Sequence, residues 1–467
     1  MKYVIFLTVI AALGGFLFGY DTAVISGTTE DVKAFYGLTD FQQGWYVGCA
    51  ILGCIFGVLL AGRLSDAFGR KPLLMTAAVI FSASSVGCAV YSGFDQLVFY
   101  RIFGGIGIGI ASITAPLYIS EISIPKYRGR MVSCYQLAIT VGILGSYLSN
   151  AAVLKWSQSV QYESGFMKLV INDEVWRGML GMETFPAILF LIVLFLIPES
   201  PRWQVVKQQD SKALQTFGKI YSPDKAQKEI DEIRDVINRE TKSDWRLLLK
   251  PGFRIAMIIG VCLAMLGQFM GVNAVFYYGP KFLLEAGLEK TASLDFQVWV
   301  GLVNVLSTIL AMMVIDRIGR KRLIYIGVSG MVVLLAGIGL FFHSAASGYA
   351  VSTWVLFVLI LAYVFSSAIS ISAVIFVLLS EMYPVKVRGS AMSIAGFSLW
   401  VGTYLIGQLT PWLTTKLSAS GVFWLFGFMC FPYLLITYFL VPETTGKSLE
   451  DIEREWTERG KLKVLKT

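Results

Sequence analysis

The hexapeptide DAFGRK at residues 66–71 returns as DRIGRK at 316–321, 250 positions further along the chain. Each copy closes one apolar run and opens another. A second pair, SEISIPKYRG at 120–129 and SEMYPVKVRG at 380–389, repeats at an offset of 260. Charged turns that recur between apolar runs at one long period indicate a duplicated unit. A helix needs about 20 mostly apolar residues to cross a bilayer. Twelve such runs lie near 3–27, 43–62, 72–91, 96–120, 132–153, 177–197, 253–285, 296–315, 322–343, 353–380, 389–416 and 420–441. Gly, Ala and Ser are spread through them, as close helix packing in lipid requires. The first run is long and carries Asp21, so it reads as a span and not as a cleaved leader. The expected fold is all-α integral membrane: two six-helix bundles over 1–197 and 253–441, a cytoplasmic helical linker over 198–252, and a cytoplasmic tail over 442–467.

Composition agrees. Of 467 residues, 56% are hydrophobic and 15% charged, with a mean hydropathy of +0.67. A soluble domain carries roughly a quarter of its residues charged, so a soluble enzyme is excluded as the default. With the N-terminus inside, 31 of the 39 Lys and Arg fall on one face of the membrane and seven on the other; Arg101 lies in a span. That bias sets orientation. It assigns the net charge of +8 to topology and anionic lipid, not to a nucleic-acid partner. The six Cys lie in apolar runs without metal-ligand spacing and read as small core residues. TGKS at 445–448 is no phosphate loop, because Val441 stands where the first glycine belongs. No metal constellation or nucleophile–base pair is visible, so neither a cofactor nor enzyme chemistry is expected. In the linker, Leu214, Phe217 and Ile220, then Ile230, Ile233 and Ile237, predict short amphipathic helices lying against the bundle.

Asp21 and Arg101 read as nearly all the charge left inside the spans. Asp21 sits in FLFGYDTAVISG (16–27), and Arg101 opens the fourth span. An ionisable group at that depth is a functional hypothesis by default. Burial and a nearby guanidinium act on a carboxyl's protonation in opposite directions. A carboxyl so balanced can take a proton from one side and release it to the other; the alternative is a structural ion pair. Asp66, Arg70, Glu121 and Arg128 gather at the cytoplasmic ends of one half, and Asp316, Arg320, Glu381 and Arg388 at those of the other. Glu199 and Arg202 of PESPRW (198–203) join them. Pairs present in only one conformation bias a two-state equilibrium, which makes these a candidate latch; simple lipid anchoring is the alternative.

Uncharged polar groups mark the spans: Gln136, Thr140, Gln268, Asn273, Asn304, Trp400 and Gln408. Amides both donate and accept, which suits a ligand with several hydroxyls. An aromatic face suits its C–H face. The competing reading is interhelical hydrogen bonding. Gly271 and Gly279-Pro280 bracket Asn273, Tyr277 and Tyr278, so the seventh span is expected to bend. His343, the only His, is placed at a helix end on the surface.

GRLSDAFGRK (62–71), RGR (128–130), PESPRW (198–203), DRIGRK (316–321) and VPETTGKSLEDIE (441–453) resemble the motifs of the sugar porter family of the major facilitator superfamily, in the family's order. The resemblance implies the twelve-helix major facilitator fold. It also implies proton-coupled symport of a monosaccharide, hexose or pentose, across the cell membrane by alternating access. Both termini would be cytoplasmic and the monomer would be the working unit. In family terms Asp21 and Arg101 carry the proton coupling. Gln136, Gln268, Asn273, Asn304, Trp400 and Phe376 fall on sugar-binding positions near the midplane between the halves. Tyr277 and Tyr278 form an outer gate, and the loop charges latch the outward-facing state. A uniporter, a proton-coupled inositol or polyol symporter, and a sugar sensor without turnover are the alternatives. Four positions depart from the family pattern: Gly267 replaces a Gln, Ser372-Ala373 replaces a Gly-Pro break, and Phe376 replaces a Trp. Without the Pro, the tenth helix is expected to bend less.

Overall fold

The computed structural model describes residues 1–90, 93–239, 251–349, 351–383 and 388–443. The chain divides into two compact units, residues 1–37 with 49–241, and residues 38–48 with 242–467. Among the described residues the regular structure is helical throughout.

The first unit starts with α1 (Lys2–Val24) and a short α2 (Thr29–Tyr36). Long helices follow: α3 (Asp40–Phe68), α4 (Arg70–Val90), α5 (Phe94–Ile122) and α6 (Arg128–Ser159). The sixth span is made of α7 (Val175–Gly181) and α8 (Thr184–Leu194). The first turns of α3 group with the second unit. Helices α1 and α6 touch backbone to backbone: a Cβ on Gly19 would collide with the Ile139 carbonyl, and one on Gly142 with that of Phe16. In lipid such contact replaces the hydrophobic effect as the source of packing energy, and it fixes the helix that carries Asp21.

Three linker helices complete this unit: α9 (Pro201–Val206), α10 (Asp210–Gly218) and α11 (Pro223–Arg239). They form their own small core of Val205, Ala213, Phe217, Ala226 and Ile230, with Tyr221 and Ile233 against it. The predicted amphipathic faces are thus largely right, with one correction: Leu214 points outward at 40% exposure, and Ala213 takes the core position. The Ile237 side chain lies outside the described residues. Trp203 Nε1 donates to the Asp66 carbonyl at 3.0 Å, so the linker is docked on the bundle as expected.

The second unit contains α12 (Pro251–Phe269), α13 (Val272–Glu285), α14 (Lys290–Ile318), α15 (Arg320–Ala346), α16 (Thr353–Ser367), α17 (Ala373–Met382) and α18 (Arg388–Phe439). Gly271, at φ +86°, separates α12 from α13 and breaks the seventh span where expected. The tenth span is interrupted as well, by a π-helical turn over Ala368–Ser372. Ser370 Oγ donates back to the Ser366 carbonyl at 2.5 Å, and hydroxyls that bond to their own helix loosen its ladder. Among the described residues, eleven helical segments are long and apolar enough to cross a membrane. The last, Gly389–Phe439, breaks at Ser418 (φ 63°, ψ 168°) and supplies two crossings, which gives twelve.

Candidate functional site

The site begins with a buried ion pair. Asp21 on α1 is 8% exposed and Arg101 on α5 is 4% exposed, and Arg101 Nη1 donates to Asp21 Oδ1. The two residues singled out in the sequence therefore meet. A buried pair of this kind is strongly destabilised by losing one member, because the other charge is left without compensation. Sequence reading missed a third group. Glu183, at the junction of α7 and α8, is 4% exposed, lies close enough to Asp21 and Arg101 to feel both charges, and leaves Oε1 without a hydrogen bond. It is the only carboxylate in the apolar run 177–197, so the rule that flagged Asp21 was enough to find it. Two carboxyls and one guanidinium thus lie buried within electrostatic reach of one another. Among those three groups, one proton more or less decides whether charges balance.

The amides of the second unit form a separate cluster. Gln268 ends α12 and Asn273 starts α13, so the break at Gly271 folds one toward the other. Asn273 Nδ2 donates to Gln268 Oε1 at 2.8 Å, and Thr403 Oγ1 on α18 lies 3.1 Å from the same oxygen. Both amides are half-buried, whereas Thr403 is buried. Asn304 is buried on α14, Trp400 half-buried on α18, and Gln136 of the first unit half-buried on α6. Phe376 is 47% exposed on α17, one turn after the exposed Ser372. The space opened by Gly267 is not left empty: a Cβ there would stand 3.2 Å from Ile371 Cγ2 of the π turn. The place of the amide lost from α12 therefore faces an isoleucine of the tenth span. Gln408 belongs to the packing, since Nε2 donates to the Phe41 carbonyl at 2.9 Å. Tyr277 and Tyr278 are both buried, and Tyr278 donates to the Gly407 carbonyl at 2.6 Å.

The charged loops show the duplication in three dimensions. Arg70 binds Glu121 through two parallel bonds, Nε to Oε2 and Nη2 to Oε1, each 2.9 Å. Arg320 Nη2 meets Glu381 Oε1 at 2.9 Å, 250 and 260 positions later in the chain. Lys71 Nζ donates to the carbonyls of Phe195 and Ile197, and Lys321 Nζ to those of Tyr438 and Val441. Glu199 accepts from the Arg70 and Lys71 N–H groups at the start of α4, where a carboxylate also complements the helix dipole. Ser200 Oγ donates to Glu121 Oε2 at 2.6 Å. Asp66 is mostly exposed, 3.4 Å from Arg70 Nη1. Arg128 and Arg202 are exposed. The side chains of Asp316 and Arg388 lie outside the described residues, as does the TGKS segment.

Twelve spans in two units, with an acid–base cluster buried in one and an amide cluster in the other, define a polytopic membrane carrier. The family described as "Sugar (and other) transporter" matches over residues 7–456. The chain is 36% identical to the arabinose-proton symporter of Bacillus subtilis over 457 residues, covering 98% of this chain and 96% of that protein. It is 35% identical to the D-xylose-proton symporter of Escherichia coli over 488 residues, covering 97% and 96%. Among solved structures, the xylose transporter XylE from E. coli, in a partially occluded inward-open conformation, superposes with a TM-score of 0.82 at 32% identity, covering 96% of this chain and 100% of that one. The chain belongs to the sugar porter family of the major facilitator superfamily. It is a multi-pass membrane transporter and not an enzyme.

Proposed function

We propose that this protein carries a monosaccharide, hexose or pentose, together with a proton across the plasma membrane by alternating access. The observation that carries the proposal is the buried meeting of Asp21 and Arg101, with Glu183 beside them. A transporter that only equilibrates its sugar has no need of a proton-exchangeable carboxyl held out of water at a cost. The symporters of arabinose and xylose at about one-third identity support the same reading.

The residues then divide the work. Asp21 releases Arg101 when it takes up a proton, which changes the balance between two states open to opposite sides of the membrane. The amides of Gln136, Gln268, Asn273 and Asn304 take the sugar's hydroxyls, and Trp400 and Phe376 cover its apolar face. Tyr277 and Tyr278 gate the outer end. Arg70–Glu121 and Arg320–Glu381, with Glu199, form the cytoplasmic latch. Both termini are cytoplasmic, following the distribution of Lys and Arg. Coupling requires proton and sugar each to bind the two states with different affinity; a ligand without such a difference drives nothing.

The test is Asp21→Asn in proteoliposomes. The variant is expected to lose uphill accumulation driven by a proton gradient while retaining sugar exchange. Accumulation at the wild-type level would refute the coupling role.

A further inference from the structure

The break in the seventh span turns on one peptide group, and that group is held at both ends. Between Gln268 and Asn273 the chain turns at Gly271, where φ is +86° and a Cβ would also strike the Phe426 ring of α18. The peptide joining Met270 to Gly271 lies in this turn. Its N–H, on Gly271, donates to the main-chain carbonyl of Gln268 at 3.0 Å. Its C=O, on Met270, lies past the end of α12, and among the described residues no backbone N–H reaches it. The Tyr363 hydroxyl of α16 takes that place and donates to the Met270 carbonyl at 2.6 Å. Both residues are buried to 0% exposure, so bulk water cannot take over the bond. A tyrosine hydroxyl has one proton to give, and this bond uses it.

We infer that Tyr363 is a positioning residue for the Gln268–Asn273 pair: by holding the Met270 carbonyl it fixes how the two halves of the seventh span meet, and so how the two amides stand to one another. This deepens the sugar reading above and rests on it. Rotation of the Met270–Gly271 peptide would swing α13 against α12, and a glycine resists such rotation less than any other residue. With both ends of the peptide bonded, Asn273 Nδ2 stands 2.8 Å from Gln268 Oε1 before any ligand arrives. A site ordered in advance binds more tightly, because less ordering remains to be done on binding. Tyr363, fully buried, acts from behind the amides and not on the sugar itself.

The experiment uses the full-length protein in proteoliposomes with a sugar that the wild type takes up. Tyr363→Phe keeps the ring and removes the donor. It is expected to raise KM by about threefold to tenfold, the worth of one hydrogen bond, with little change in maximal rate. Acting through the amides makes a second demand. In an Asn273→Ala background the same substitution is expected to leave KM nearly where Asn273→Ala alone puts it, because residues that work through one another are not additive. A merely structural tyrosine would lower the thermal midpoint in detergent and leave KM unchanged, or would raise KM by the same factor in both backgrounds; either result overturns the inference. The wild type supplies a check that does not depend on the variant folding. Amide hydrogen exchange over residues 268–275 is expected to be slow without sugar and to change little when sugar is added. Rapid exchange that slows only with sugar would mean that the ligand orders the break, and would overturn the inference as well. A wild-type protein that takes up no sugar would fail earlier, and would overturn the functional reading itself.

Discussion

The proposed coupling rests on Asp21. Its position on α1 is fixed by the α1–α6 backbone contact at Gly19 and Gly142, and its partner comes from a different helix. Glu183 places a second carboxyl within electrostatic reach of the same guanidinium, and the sequence reading overlooked it while assigning the intramembrane charge to Asp21 and Arg101. Nothing hid it except the length of the apolar run around it. Glu199, outside the spans, offers a residue-scale prediction. Burial raises its carboxyl above the ordinary carboxylate value, against the pull of the Ser200, Arg70 and Lys71 N–H groups and the Arg70 charge. The folded protein therefore holds this proton more tightly than the unfolded chain does. Its contribution to stability is complete below the ordinary carboxylate pKa and is lost as pH rises through the raised value. Glu199→Gln keeps an oxygen for the start of α4 and removes the titration. Thermal unfolding from acid to neutral pH should show a flatter profile for the variant than for the wild type; identical profiles would contradict the assignment.

At the scale of elements, the breaks are more informative than the helices. The spans were legible because length and hydropathy alone identify them, and the seventh-span break was legible because Gly271 sits where only glycine is at ease at φ +86°. The π turn at Ala368–Ser372 was not legible, because Ser-Ala lacks the proline that announces a break; Ser370 bonds back to its own helix there. Nor was the swap of Ala213 for Leu214 in the linker core, since one residue's rotation on a short helix is decided by packing. The contact of Thr403 with Gln268 was equally hidden, because it depends on α18 meeting α12. Ser418 separates the last two spans in a backbone region that side chains other than hydrogen rarely occupy, at φ 63° and ψ 168°. Such residues cost about 1–3 kcal/mol. Ser418→Gly should therefore raise the thermal midpoint in detergent without changing transport. A lower midpoint would mean that the bond of the Ser418 hydroxyl to Ser420 outweighs the backbone cost.

On the scale of the whole molecule, a duplicated chain has given its two bundles matching loops and different interiors. Arg70–Glu121 and Arg320–Glu381 repeat one another, as do the paired carbonyls held by Lys71 and Lys321. The interiors differ in charge: the first buries the Asp21–Arg101 pair and Glu183, and the second holds the Gln268–Asn273 pair of amides. That asymmetry fits the proposed coupling, since a proton and a neutral sugar want different chemistry. The low overall charge of the chain, 15%, makes the asymmetry visible. The most direct test of this division is to reconstitute the protein in liposomes containing a pH-sensitive dye and to add a panel of pentoses and hexoses outside. The account predicts that at least one sugar enters and acidifies the interior, and that Asp21→Asn abolishes the acidification while leaving exchange of that sugar. Entry of the sugar into wild-type liposomes with no change in internal pH would contradict it.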